Sequence, residues 1–283
     1  MEKQLWEDCS NGKVKKVIKL LRNEQININW QDSEFERTPF YIACEKGHID
    51  IVKLLLSDSR VDINKEDKYG WTPFYIACQE GRTKIVKLLN DQRVDINKED
   101  EYGWTPLLIA CQEGYIEIMK LLLNDQRIDI NKARNDGSTP LSIACQHAHI
   151  EIVKYLLASG REIDTNKKDD DGKTGLDWAR EREEMEMDEW ESEEEFQERK
   201  RGCGKIVKLI ESFEENPNET RTKLRIQLGL AGKSFLIFLF FKYQNLSKIL
   251  IIFQDKDAVS IHSIIVLLSD CYLDFKNKEL KIY

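Results

Sequence analysis

The chain has 283 residues, of which 41% are apolar and 33% charged, and its formal net charge is −8. That length holds one to two domains with a sizeable core. The negative balance excludes non-specific DNA or RNA binding, because a phosphate backbone repels such a surface, and no nucleic-acid partner is expected.

The first residues, Met-Glu-Lys-Gln-Leu-Trp-Glu-Asp, contain no apolar run of the kind that opens a secretory signal. A reducing compartment is expected, the cytoplasm first and the nucleus as an alternative. Residues 5–29 (LWEDCSNGKVKKVIKLLRNEQININ) read as a helix, a glycine break and a second helix, a degenerate capping unit over 1–30.

The same plan then returns with a clearer opening. Thr38-Pro39, Thr72-Pro73, Thr105-Pro106 and Thr139-Pro140 lie 34, 33 and 34 residues apart, which divides the chain into units 31–64, 65–97, 98–131 and 132–166. Threonine caps a helix because its hydroxyl accepts an orphan N–H. Proline fits the first helical position, where its missing N–H costs nothing. Ile-Ala-Cys follows with small residues that let helices approach. Gly47, Gly81 and Gly114 can end the helix in a left-handed conformation. A second helix comes next, with Ile51, Val52, Leu54, Leu55 and Leu56 as its apolar face in the first of these units. The phrases at 60–64, 93–97, 127–131 and 162–166 (RVDIN, RVDIN, RIDIN, EIDTN) alternate as a short extended finger would. No single unit can bury its own apolar face, whereas stacked neighbours share a continuous core. Weaker stacking is expected where Ala148 replaces the glycine and where Leu88-Leu89 shortens the apolar run.

Thr174-Gly175 opens a last, capping unit over 167–215, whose second helix is expected at 206–210. This unit carries an acidic insert at 181–200, and residues 181–198 alone hold eleven acidic residues and one arginine. The insert reads as a solvated, partly helical loop, because like charges one turn apart repel. The tail, 216–283, is of uncertain structure, with a short helix possible just after Pro217. Its apolar run at 234–254 is interrupted by Lys242, Gln244, Asn245 and Lys248, so a membrane span is not expected. A small folded appendage is the first reading. Translated intron over 234–256 is the alternative, since the run consists mostly of residues with A/T-rich codons.

The Thr-Pro phrase at this period resembles the ankyrin repeat, and the resemblance covers residues 1–213. It implies an all-α ankyrin-repeat solenoid of helix-turn-helix units with short β-hairpin fingers, plus a small C-terminal appendage. It also implies partner binding at finger tips and on the inner helix face. The tip positions are Lys68, Tyr69, Trp71, Glu101, Tyr102, Trp104, Asn135, Asp136 and Ser138. The inner-face positions are Gln79, Glu80, Gln112, Glu113, Gln146 and His147. The histidine with which the family ties neighbours together is replaced by Tyr41, Tyr75, Leu108 and Ser142, so coupling by packing is expected instead. Trp71→Ala with Trp104→Ala is expected to weaken a partner without unfolding the stack.

Cys44, Cys78, Cys111 and Cys145 recur in one slot, with Cys9 in the same slot of the cap. Equivalent positions in a stack are too far apart for disulfides, and no close pair suits zinc. The cysteines are expected to be buried packing residues, and His48 and His149 structural. No Ser-His-Asp order, phosphate loop or zinc-protease motif occurs, so no catalytic residue, cofactor or metal is expected. The expected function is a non-catalytic, monomeric protein-interaction scaffold or adaptor. The alternative is a regulatory or inhibitory module that docks a basic partner through its acidic insert, with Trp190 and Phe196 as anchors.

Overall fold

The computed structural model describes residues 1–187 and 190–230. Among them are thirteen helices: α1 (Glu2–Ser10), α2 (Val14–Leu21), α3 (Pro39–Lys46), α4 (Ile49–Leu56), α5 (Pro73–Gln79), α6 (Thr83–Leu88), α7 (Pro106–Glu113), α8 (Ile116–Asn124), α9 (Pro140–Gln146), α10 (Ile150–Ala158), α11 (Gly175–Glu184), α12 (Glu193–Glu215) and α13 (Pro217–Gln227). They divide into two compact units, one of residues Met1–Leu156 with Glu162–Val207, the other of Leu157–Arg161 with the described residues from Lys208 to Leu230.

In the first unit the odd-numbered helices α1 to α11 pack in a row, each on the next, and α2, α4, α6 and α8 form a second row. The Thr-Pro openings work as the local chemistry requires. Thr38, Thr72, Thr105 and Thr139 each accept the backbone N–H three residues on, with proline at the first helical position. Gly47 and Gly114 close α3 and α7 with φ of 81° and 70°. Ala148 is forced into the same left-handed region, φ 58°, which costs an L-residue about 1–2 kcal/mol. The first helices are short and buried on nearly every side; in α3 every residue from Pro39 to Cys44 is inside. Cys9, Cys44, Cys78, Cys111 and Cys145 line this row as free, buried thiols.

No strand occurs among the described residues. The Val-Asp-Ile-Asn phrases are turns, and their asparagines do what a β-bridge would. Asn29, Asn64, Asn97 and Asn131 each donate Nδ2–H to a carbonyl of the next repeat, at 2.7–2.9 Å. Each also accepts, on Oδ1, the N–H two residues beyond that carbonyl. One side chain thus imitates a peptide group at every junction. Arg60 and Arg93 add a second tie by donating to the Leu21 and Leu56 carbonyls at the ends of α2 and α4, and Arg127 does so to the Asp91 and Val94 carbonyls in the turn after α6.

α12 begins at Glu193 and runs 23 residues, far longer than the segment 206–210 expected from its apolar residues. Of the acidic insert, residues 181–184 belong to the end of α11 and residues 193–200 to the start of α12. In the second unit, Arg221 donates to the Leu157 and Arg161 carbonyls and Arg225 to the Ala158 carbonyl. Leu157 occupies the register of Leu21 and Leu56, so α13 supplies the arginine that a following repeat would have brought. Leu224 and Ile226 bury the apolar side of α13. The expectations for 234–256 lie outside the described residues.

Candidate protein-binding surface

The second and third fingers are each built on one buried side chain. Asp67 and Asp100 are 5% and 6% exposed. On Oδ1, Asp67 accepts the N–H groups of Tyr69 and Trp71 at 2.9 and 3.0 Å, and Asp100 accepts those of Tyr102 and Trp104 at 2.9 Å each. That folds the tip back, and the Asp67 N–H closes it on the Trp71 carbonyl. The second carboxylate oxygen faces the preceding repeat. Asp67 takes the Tyr41 hydroxyl at 3.1 Å; Asp100 takes the Tyr75 hydroxyl at 3.3 Å and the Trp71 indole N–H at 3.1 Å. Burial first, then the neighbouring carboxylates, push both tyrosine pKa values well above the usual phenol range.

These contacts correct the expectation that neighbours are coupled by packing alone. The tyrosines that replace the usual histidine are long enough to reach the next finger and hydrogen-bond there. Where Leu108 stands in that position it has no donor, and the next finger carries Arg134 in place of aspartate. Arg134 pairs with Asp136 and lies 4.8 Å from the Trp104 ring centre. Ser142 instead closes a capping box with Thr139.

The tip positions separate into two groups. Trp71 is half-buried, stacked on Tyr75 at 5.5 Å and bonded to Asp100. Ser138 is 7% exposed. Both belong to the framework, so Trp71→Ala is expected to lower stability as well as any binding. Trp104 is half-buried under Arg134. Lys68 reaches the preceding finger, donating to the Glu34 carbonyl at 2.8 Å. Asn135 holds the Glu101 carbonyl at 2.9 Å, and Asp136 is kept near a pKa of about 2 by the Arg134 hydrogen bond. Tyr69, Tyr102 and Glu101 project to solvent, with Tyr102 62% exposed.

The inner-face positions all fall at the ends of first helices. Glu80, Glu113 and His147 are exposed; Gln79, Gln112 and Gln146 are half-buried. Gln112 donates to Glu113 at 2.9 Å, and Glu80 lies 3.6 Å from Arg82. The Gln79 Oε1 is buried and accepts no hydrogen bond among the described residues. His147 stacks on His149 at 6.0 Å, and partial desolvation together with His149 and Arg182 lowers its pKa. His48 and His149 contact the Ser10 and Gln112 carbonyls of the preceding repeat, each at 2.9 Å, which is a structural role.

Sequence reasoning missed the first finger. Arg37 lies between Glu45 and Asp67, at 3.1 and 3.8 Å, and over the Phe35 and Tyr41 rings. Its place just before Thr38-Pro39 matches that of Trp71 and Trp104, so register alone could have found it.

In the acidic insert, Arg199 is buried and ties Glu191 to the carbonyls of Arg182 and Glu186. Trp190 is 88% exposed, while Phe196 is half-buried beneath Arg199. Among the described residues no group of three or more His, Cys, Asp or Glu could hold a metal ion, and no helix is long and apolar enough to cross a membrane.

A family model described as ankyrin repeats in three copies matches residues 5–100, 49–134, 89–169 and 107–185. Over 88 residues the chain is 30% identical to 26S proteasome non-ATPase regulatory subunit 10 of Dictyostelium discoideum, which covers 31% of this chain and 38% of that protein. Over 54 residues it is 37% identical to Ankyrin repeat domain-containing protein 7 of Homo sapiens, or 19% of this chain and 21% of that protein. The chain thus spans less than two fifths of either curated relative. The crystal structure of EF0377, an ankyrin repeat protein, matches with a TM-score of 0.59 and 28% identity, over 72% of this chain and 98% of that one.

Proposed function

Because the chain belongs to the ankyrin-repeat family, whose modules mediate protein–protein interaction, we propose that it is a non-catalytic adaptor that docks a protein partner across its finger tips and first-helix ends. The observation that carries this reading is the contrast within the second and third fingers. The base is a buried, fully bonded aspartate, while Tyr69 and Tyr102 are 38% and 62% exposed on top of it. A rigid base with an exposed aromatic lowers the entropy lost on binding, and tyrosine is enriched among residues that dominate interfaces. The buried thiols fit a reducing compartment, cytoplasm or nucleus. In the test, partners captured by the full chain are compared with those captured by the Tyr69→Ser/Tyr102→Ser variant, alongside both melting curves. Loss of partners at an unchanged Tm supports the reading; unchanged capture defeats it.

A second reading is favoured by Trp190, which stands almost fully exposed within the most acidic stretch of the chain. A basic partner would dock there, and only that mode weakens steeply with added salt. Deletion of 183–199 that leaves every interaction and its salt dependence intact removes this reading.

A further inference from the structure

The second and third fingers form a comparison made within the chain. Residues 65–71 read KEDKYGW and residues 98–104 read KEDEYGW, so they differ only at Lys68 and Glu101. Phe35, Tyr69 and Tyr102 hold one aromatic position in three successive fingers. Phe35 carries two cations, Lys68 Nζ at 4.2 Å and the Arg37 guanidinium at 4.6 Å from its ring centre. Tyr69 carries Lys68 at 5.1 Å. No cation lies over Tyr102 among the described residues. Its neighbour is Glu101, and the next finger brings neutral Asn135, whose Nδ2 is spent on the Glu101 carbonyl. Exposure rises in step, from half-buried Phe35 to 38% for Tyr69 and 62% for Tyr102.

The cations nearest in sequence are committed elsewhere. Lys98 pairs with Glu66 at 3.0 Å, Lys132 with Glu99 at 2.8 Å, and Arg134 with Asp136. Glu101 directly precedes Tyr102, and both are exposed at the finger tip, so an acidic and an aromatic side chain stand at adjacent positions. An aromatic face beside a carboxylate attracts a cation, and a planar guanidinium can stack on the one while bonding the other.

We propose that Tyr102 and Glu101 form the recognition site for an arginine or lysine side chain of the docking protein, which takes the place that Arg37 and Lys68 occupy on Phe35. The proposal rests on the finger-tip reading above and names the chemistry its partner must present.

The test uses the full chain and a bead-displayed library of random linear peptides as probe. Recovered peptides should carry a cation at one fixed position. Replacing that arginine with neutral, isosteric citrulline should weaken binding about five- to thirtyfold, the range expected for a cation on an aromatic face. Glu101→Lys copies the second finger, a sequence this fold already accommodates, and should weaken the same peptides at least as much without changing Tm. Glu117→Lys on α8 makes the same charge change and should have little effect. Peptides without a fixed cation, peptides that tolerate Glu101→Lys, or failure to recover any peptide would overturn the proposal. Peptides lost with Tyr69→Ser or Glu113→Ala but not with Glu101→Lys would leave the finger-tip reading standing. Peptides indifferent to all of these would defeat both.

Discussion

Asp100→Ala is the substitution that reports most on how the repeats are joined. The carboxylate is buried and accepts four hydrogen bonds, two from the backbone of its own finger and two from Tyr75 and Trp71 of the preceding repeat. Removing it strands the Tyr75 hydroxyl on a residue 2% exposed. A buried donor left without an acceptor costs about 1–3 kcal/mol, and each lost bond to a charged group adds roughly 1.5 kcal/mol where water cannot substitute. The half-exposed finger N–H groups recover most of theirs from solvent. The expected loss is about 3–5 kcal/mol. Tyr75→Phe alone should cost about 1–1.5 kcal/mol, since it removes the donor together with its need for an acceptor. The double variant should then cost about 1 kcal/mol less than the sum of the two. Urea unfolding followed by circular dichroism gives the three values, provided the m-value holds constant. Additivity within about 0.5 kcal/mol would mean that Tyr75 and Asp100 are not coupled, and the clasp argument would fall. The same logic predicts that Leu108→Tyr destabilises by itself, because Arg134 offers no acceptor, and that adding Arg134→Asp recovers part of the loss.

Ala148→Gly should raise stability by about 0.5–1 kcal/mol, because glycine adopts the left-handed conformation without the steric cost of a Cβ; a loss in urea titration would refute this. The cysteine column should be inert in the native state, since burial raises every one of these pKa values, that of Cys9 to about 12. Labelling by an aromatic disulfide reagent should therefore track unfolding, and rapid labelling of Cys78 or Cys111 under native conditions would contradict it. Asp58, Asp91 and Asp136 lie below their ordinary value of 3.8, mainly through hydrogen bonds from Arg60, Arg93 and Arg134. Their contribution is present above that value and is lost as pH falls toward 2. Tyr41 and Tyr75 are shifted the other way, so their contribution is intact below pH 10 and declines above it. Phenolate absorbance of Tyr75→Phe should lack one late-titrating group; equal titration of both proteins in the ordinary range would contradict the clasp.

The row of first helices was legible because its determinants are local. Thr38, Pro39 and Gly47 act within one helix, and their recurrence reveals the stack. What joins one repeat to the next was less visible. Tyr41 and Asp67 are 26 residues apart, and a period shows which residues are equivalent without showing which touch. The substitution of tyrosine for histidine therefore read as a lost bond, although the longer side chain reaches a different acceptor. The paired change to Leu108 and Arg134 was present in the sequence, and only the Tyr75–Asp100 contact explains it. Trp71 read as a binding residue because tryptophan at a tip suggests one; that its indole N–H also bonds Asp100 of the next finger was not visible in the sequence. The insert read as a solvated, partly helical loop because like charges were weighed against helix formation, and the extent of α12 was not visible. Arg199 gathers Glu191 and two carbonyls around a single buried guanidinium, a set of contacts that charge patterning along the sequence does not reveal.

A photo-crosslinking amino acid placed in turn at Tyr69, at Tyr102 and at Lys87 on the second helix α6 tests the account most directly, with the full chain in its own cells. Adducts with another protein should form from Tyr69 and Tyr102 and be absent from Lys87. Adducts from Lys87 alone would place recognition on the second-helix row and contradict the assignment of the fingers.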